Sequence, residues 1–205
     1  LARLSAEHPN LRAVVQVGAT SALVPNVLGG QLNAAVVHLP VDDAEVIITP
    51  LFAEDLVLLA HADHPLAAHS EISLADLHEV PLLLPPMGAA LRKVLERAAA
   101  TVDVTLRAQA EIDGARLLAS LAFDGYGAAI VPATAIPAGS DVEHRRITVP
   151  ELPRRVVAFI RRRRPSASAP TMAAFDTLRS LIDEYGDTQP GVHTSTSAFA
   201  IPKND

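Results

Sequence analysis

Two short apolar runs, Val46-Ile47-Ile48-Thr49-Pro50-Leu51 and Asp55-Leu56-Val57-Leu58-Leu59-Ala60, the second turned at His64-Pro65-Leu66, decide how this chain is read. Runs this short, rich in Val, Ile and Leu and bounded by Pro and polar residues, read as strands rather than helices. Further apolar runs lie on either side. Ala34-Ala35-Val36-Val37 lacks alternation, as expected of a parallel strand buried on both faces, and Val80-Pro81-Leu82-Leu83-Leu84 reads the same way before Pro85-Pro86 closes it. Leu106 to Ile112, Ala128-Ala129-Ile130-Val131-Pro132 and Val156-Val157-Ala158-Phe159-Ile160 complete this set, and Leu11 to Val17 has strand composition up to Gly18.

Helical signals fall between the strands. Leu1 and Leu4 mark a short helix ending at Pro9-Asn10. Thr20 and Ser21 can cap a helix over Leu23, Val24, Val27 and Leu28 that stops at Gly29-Gly30, with Pro25 late for a first turn. Ser73 caps a single turn through Leu77, with Asp76 spaced to answer its amide. A helix follows Gly88 through Leu91, Val94 and Leu95, and Asp113 caps another whose Leu117, Leu118, Leu121 and Phe123 form its apolar side. Met172, Phe175, Leu178, Leu181 and Ile182 give the stripe of a last helix, after which 186–205 reads as a polar tail with Phe199 and Ile201 as local docking points. Strands alternating with helices make an α/β protein with a doubly wound sheet.

Composition narrows the function. Seventeen Lys and Arg against 23 Asp and Glu give a formal charge of −6, the wrong sign for holding DNA through its phosphates. Aromatic content of 3% leaves few platforms for stacking bases. With no Cys there are no disulfides and no thiolate chemistry. A hydrophobic fraction of 49% is ample for a core, yet no run reaches the roughly 18 apolar residues of a membrane span, and the N-terminal residues lack a secretory pattern. Gly-x-Ser-x-Gly, His-Glu-x-x-His and Walker patterns are absent. Gly125-Tyr126-Gly127 follows a helix where a dinucleotide fingerprint follows a strand. His61, His64 and His69 have no acidic or Cys partner spaced to close a metal shell, and Arg161 to Arg164 read as a solvated strand end.

Five pieces in one order carry a resemblance. They are Val17-Gly18-Ala19-Thr20-Ser21 through Leu28-Gly29-Gly30-Gln31-Leu32-Asn33; Pro50-Leu51-Phe52-Ala53-Glu54-Asp55-Leu56-Val57-Leu58 with His64-Pro65-Leu66-Ala67; Leu74-Ala75-Asp76-Leu77; Pro81-Leu82-Leu83-Leu84; and Gly125-Tyr126-Gly127-Ala128-Ala129-Ile130-Val131-Pro132. From about Ala6 to Tyr185 the chain resembles the effector-binding regulatory domain of LysR-type transcriptional regulators, whose fold is that of type II periplasmic binding proteins. Asn33 stands where the family usually has Asp. The family's winged helix-turn-helix, its linker helix and the first strand of its regulatory domain, which usually carries one ligand-binding Ser or Thr, are not matched.

The resemblance implies two lobes of mixed sheet joined by two crossover strands: residues 1–53 with 164–185 as lobe one, 54–163 as lobe two, and 186–205 as a tail. It implies a cytoplasmic, non-enzymatic sensor without cofactor or metal. Such a sensor binds a small effector, an organic anion in one reading, between the lobes, assembles as a homodimer or tetramer through this domain, and meets DNA only through the unmatched N-terminal domain. Effector contacts fall on Gly18, Ala19, Thr20 and Ser21 in lobe one, on Pro86, Met87 and Gly88 in lobe two, and on His38. Helix starts after strands suit anions, because their first amides are unbonded. The blander alternatives are that Thr20 and Ser21 only cap their helix, that Met87 plugs the core, and that His38 is a surface residue. A periplasmic solute-binding protein and a small α/β enzyme are the rival functions.

Overall fold

A computed structural model describes residues 1–137 and 144–199. The chain divides into two compact units. Unit 1 comprises Leu1–Ala53, Arg155–Thr188 and Val192–Asp205; unit 2 comprises Glu54–Arg154 and Gln189–Gly191.

Unit 2 is built on a five-stranded sheet of β3 (Leu56–His61), β4 (Pro81–Leu84), β5 (Arg107–Glu111), β6 (Ala128–Pro132) and β7 (His144–Thr148), in the order β5-β4-β6-β3-β7. β4 runs parallel to β5 and β6, whereas β3 is antiparallel to β6 and β7. The central strands lack alternation because both of their faces are covered. Leu56, Leu58 and Ala60 of β3 join Leu82, Leu84, Ala128 and Ile130 in one core, packed with Leu74, Leu77 and Leu95. Val57 and Leu59 point the other way, into a second core with Leu83, Val131, Leu118 and Ala122. Helix α3 (Ala90–Ala100) serves the first face and α4 (Ala115–Phe123) the second. The expected turn at Ser73 is a one-turn 3-10 helix, Leu74–Leu77, with a reciprocal cap: Ser73 Oγ accepts from the Ala75 amide, and Asp76 Oδ2 accepts from the Ser73 amide at 3.2 Å.

Unit 1 holds α1 (Ala2–Glu7), α2 (Thr20–Leu28), β1 (Ala34–His38), β2 (Val46–Glu54), β8 (Arg155–Arg162), α5 (Ala169–Tyr185) and β9 (Val192–His193), with sheet order β1-β8-β2-β9. Its small core gathers Val27, Val37 and Ile160.

Several expectations are corrected here. Residues 11–17 form no strand: Val14, Val15 and Val17 are 75%, 65% and 99% exposed, and β composition alone does not make a strand without a ladder partner and a surface to fit. β1 is an edge strand antiparallel to β8, not a parallel strand buried on both faces, because its partner returns from distant sequence in the opposite sense (Ala34 opposite Arg161, His38 opposite Val157). Asp113 does not cap α4; Gly114 takes the N-cap position with φ +98, and Leu117 is exposed rather than on the buried side. Arg161 and Arg162, read from the sequence as following the strand that ends at Ile160, are the last two residues of β8 itself. Within 186–199 lie one-turn helices at Gly186–Thr188 and Thr196–Phe199 as well as β9, while Ile201 falls outside the described residues. Gln189 to Gly191 dock on unit 2: the Asp55 amide donates to Gly191 O at 2.8 Å, and Arg146 donates to Pro190 O at 2.6 Å.

Candidate functional site

In unit 1 the expected contacts gather where α2 begins. Ala19, extended at φ −69 and ψ 151, is the N-cap residue, and its carbonyl accepts from the Ala22 and Leu23 amides. Neither Thr20 nor Ser21 caps the helix with its side chain. Thr20 Oγ1 instead accepts from the His38 amide at 3.3 Å, so the end of β1 is fastened to the start of α2. Ser21 and His38 are exposed. Thr20, Ser21 and His38 thus come together, and the capping explanation of the two hydroxyls is removed. Gly18 is not pressed by its own chain. A Cβ there would meet only Leu23, at an ordinary 3.6 Å, so the fold itself does not require glycine.

In unit 2 the residues Pro86, Met87 and Gly88 form a turn between β4 and α3, closed by the Ala89 amide donating to Pro86 O at 3.1 Å. Gly88 has φ +85, at the third position, where such turns require the left-handed region. Met87 is 64% exposed, which removes the reading of a core plug. Space around Gly88 is open, since an added Cβ meets nothing within 4 Å. Gly88→Ala should therefore act through backbone strain alone and cost about 1 kcal/mol, read as a drop of roughly 2–4 °C in Tm by calorimetry.

The sequence reading missed the group that fastens this turn. Arg92, only 5% exposed, donates from Nε to Glu96 at 2.9 Å and from one terminal nitrogen to Pro85 O at 3.0 Å and Glu111 at 3.2 Å. The other oxygen of Glu111 accepts from the Met87 amide at 3.4 Å. A signal was available: Arg92 shares its helix face with Leu95 and Ala99, both buried, and carries Glu96 one turn on. An arginine on a buried stripe needs acceptors.

The histidines serve turns. His64 Nδ1 accepts from the Leu66 amide at 3.2 Å, and burial holds its pKa below the ordinary imidazole value. His61 Nδ1 accepts from the Asp63 amide at 3.3 Å. Among the described residues no group of three or more His, Cys, Asp or Glu is placed to hold a metal ion, and no helix is long and apolar enough to cross a membrane. A cavity of about 400 Å³ opens in unit 1 beside α1 and α5, lined by Glu7, His8, Met172, Asp176, Thr177 and Ser180 among others; none of the expected effector contacts borders it.

Residues 1–183 match the family model described as the LysR substrate binding domain. The chain belongs to this LysR family. Its relatives are transcriptional regulators. The HTH-type transcriptional regulator BbuR of Bordetella bronchiseptica is 31% identical over 119 residues, 58% of this chain and 37% of that protein. A "Probable hydrogen peroxide-inducible genes activator" of Mycobacterium avium is 32% identical over 145 residues, 67% of this chain and 44% of its own length. The chain thus spans less than half the length of these relatives. Among solved structures, the effector-binding domain of QuiR in complex with shikimate superposes with a TM-score of 0.73 at 16% identity, covering 90% of this chain and 88% of that one. The BenM effector-binding domain with benzoate gives 0.72 at 21% identity, covering 92% and 86%. The Synechocystis PCC6803 CcmR regulatory domain in complex with 2-PG gives 0.76 at 18% identity and 88% of each chain. These likenesses establish the type II periplasmic-binding-protein-like mixed α/β fold of a LysR effector-binding domain.

Proposed function

We propose that this chain is the sensing part of a cytoplasmic LysR-type regulator rather than an enzyme. It takes up a small organic molecule, and the candidate contacts are Gly18, Ala19, Thr20 and Ser21 with His38 in unit 1, and Pro86, Met87 and Gly88 in unit 2. One observation carries this reading. The start of α2 is left uncapped by either hydroxyl beside it, so backbone amides with partial positive charge stand next to the exposed Ser21, which supports a ligand-binding role for both. Amides of this kind favour a carboxylate or another organic anion. The structural neighbours in complex with shikimate, benzoate and 2-PG supply the first probes.

The regulator works by population shift. An effector favours one conformation of the regulator only to the extent that it binds that conformation more tightly. In the full protein, a homodimer or tetramer formed through this domain passes the change to an N-terminal DNA-binding domain. The acidic balance of this chain, −6, fits a part that does not itself hold DNA.

Isothermal titration with shikimate, benzoate and 2-PG, followed by a wider set of organic acids, tests the reading. A binder should lose about tenfold to 150-fold in affinity in Ser21→Ala, the loss of one hydrogen bond to a charged group. Unchanged affinity in that variant would remove the α2 start from the site. Ser21 is the position of choice because Thr20 also holds the end of β1.

A further inference from the structure

Met87 and Gly88 of the turn are exposed and Pro86 is half-buried, so packing does little to hold the turn's shape, and its main restraints are hydrogen bonds. Two of them converge from outside the turn. The buried Arg92 guanidinium binds the Pro85 carbonyl, the residue before the turn, and the Glu111 carboxylate on the neighbouring edge strand. That carboxylate spends its second oxygen on the Met87 amide. Burying a guanidinium is costly unless acceptors surround it, and here Glu96, Pro85 O and Glu111 do so. Glu111 is itself held in register, because it lies opposite Leu84 in the parallel ladder, and the next amide, Ile112, donates to Leu84 O at 2.9 Å.

We propose that Arg92 and Glu111 are positioning residues for the Met87 turn: the guanidinium orients the carboxylate, and the carboxylate fixes the direction of the Met87 amide. The functional weight of this relay rests on the reading that the turn meets the effector; the relay itself does not.

Glu111→Gln separates the relay from a general structural role. A glutamine has one acceptor and one donor end, so it cannot accept from Arg92 with one end and from the Met87 amide with the other. Amide exchange followed by NMR on the ligand-free 205-residue chain should show the Met87 amide exchanging about tenfold faster in Glu111→Gln, the loss of one charge-assisted hydrogen bond. Arg92→Lys should raise the same rate, because an ammonium cannot span the Pro85 carbonyl and two carboxylates as the planar fork does. Glu96→Gln cuts the other arm of Arg92 and should leave Met87 within about twofold of the parent, given that it touches no bond of the turn. An unchanged Met87 rate in Glu111→Gln, or an equal rise in Glu96→Gln, would overturn the proposal. Because no ligand is added, a failure of the effector reading in titration stays distinct from a failure of the relay.

Discussion

Leu58→Ala is expected to destabilise unit 2 by about 2–5 kcal/mol, lowering its calorimetric transition by roughly 4–20 °C. Leu58 is fully buried at the middle of β3, opposite Ile130 on β6 and Ile147 on β7, which are equally buried. Strands on both sides and Leu74 and Leu77 above it limit how far the surroundings can close on the vacated space, and a cavity that cannot collapse costs the most. Leu117→Ala is the contrast. Its side chain is 53% exposed on the outer side of α4, so a change within about 0.5 kcal/mol is expected, and equal losses from the two substitutions would contradict the two-faced core described above.

Thr134→Val is the second large effect. Glu54, the last residue of β2 and the first of unit 2, is fully buried, and Thr134 Oγ1 donates to its carboxylate at 2.6 Å. Valine keeps the shape and removes the donor, leaving a buried carboxylate with one hydrogen bond fewer, a cost of about 1.5–3 kcal/mol. Thr134→Ser should retain most of the stability, since it keeps the hydroxyl. Denaturant midpoints for the three proteins decide the matter: a valine variant as stable as the parent would show that the hydroxyl's bond to the carboxylate contributes nothing. The next residue repeats the theme. Asp55 accepts from Arg154 Nε at 2.9 Å, tying the first stretch of unit 2 to its last main-chain residue before β8.

Much of this fold is written plainly in the residues. β3, β4 and β6 are short apolar runs without alternation because two separate cores cover their faces, and that pattern needs no knowledge of neighbours. The capped turn at Ser73 depends on residues three apart and was equally legible. Strand direction was not. The run Ala34 to Val37 looks the same whether its neighbour is parallel or antiparallel, and its neighbour lies more than a hundred residues away. The same limit explains residues 11–17, where valines suit a strand but nothing local says whether a ladder receives them.

The candidate site was legible in outline and not in its fastening. Gly88 betrays itself, for only glycine is at ease at φ +85. Thr20 and Ser21 were visible as hydroxyls at a helix start, but the alternative of capping could be removed only once Thr20 Oγ1 was seen on the His38 amide. Arg92 and Glu111 stand 19 residues apart, joined by sheet pairing and not by any local pattern. Their partnership belongs to tertiary structure.

The uncovered valines at 14, 15 and 17 have a practical result for whoever handles this chain. Adhesive side chains there, and separately the edge of β1, invite other molecules, detergent or vessel walls to blanket them, so colloidal behaviour at high concentration will be governed by these two features rather than by the well-sealed sheet of unit 2.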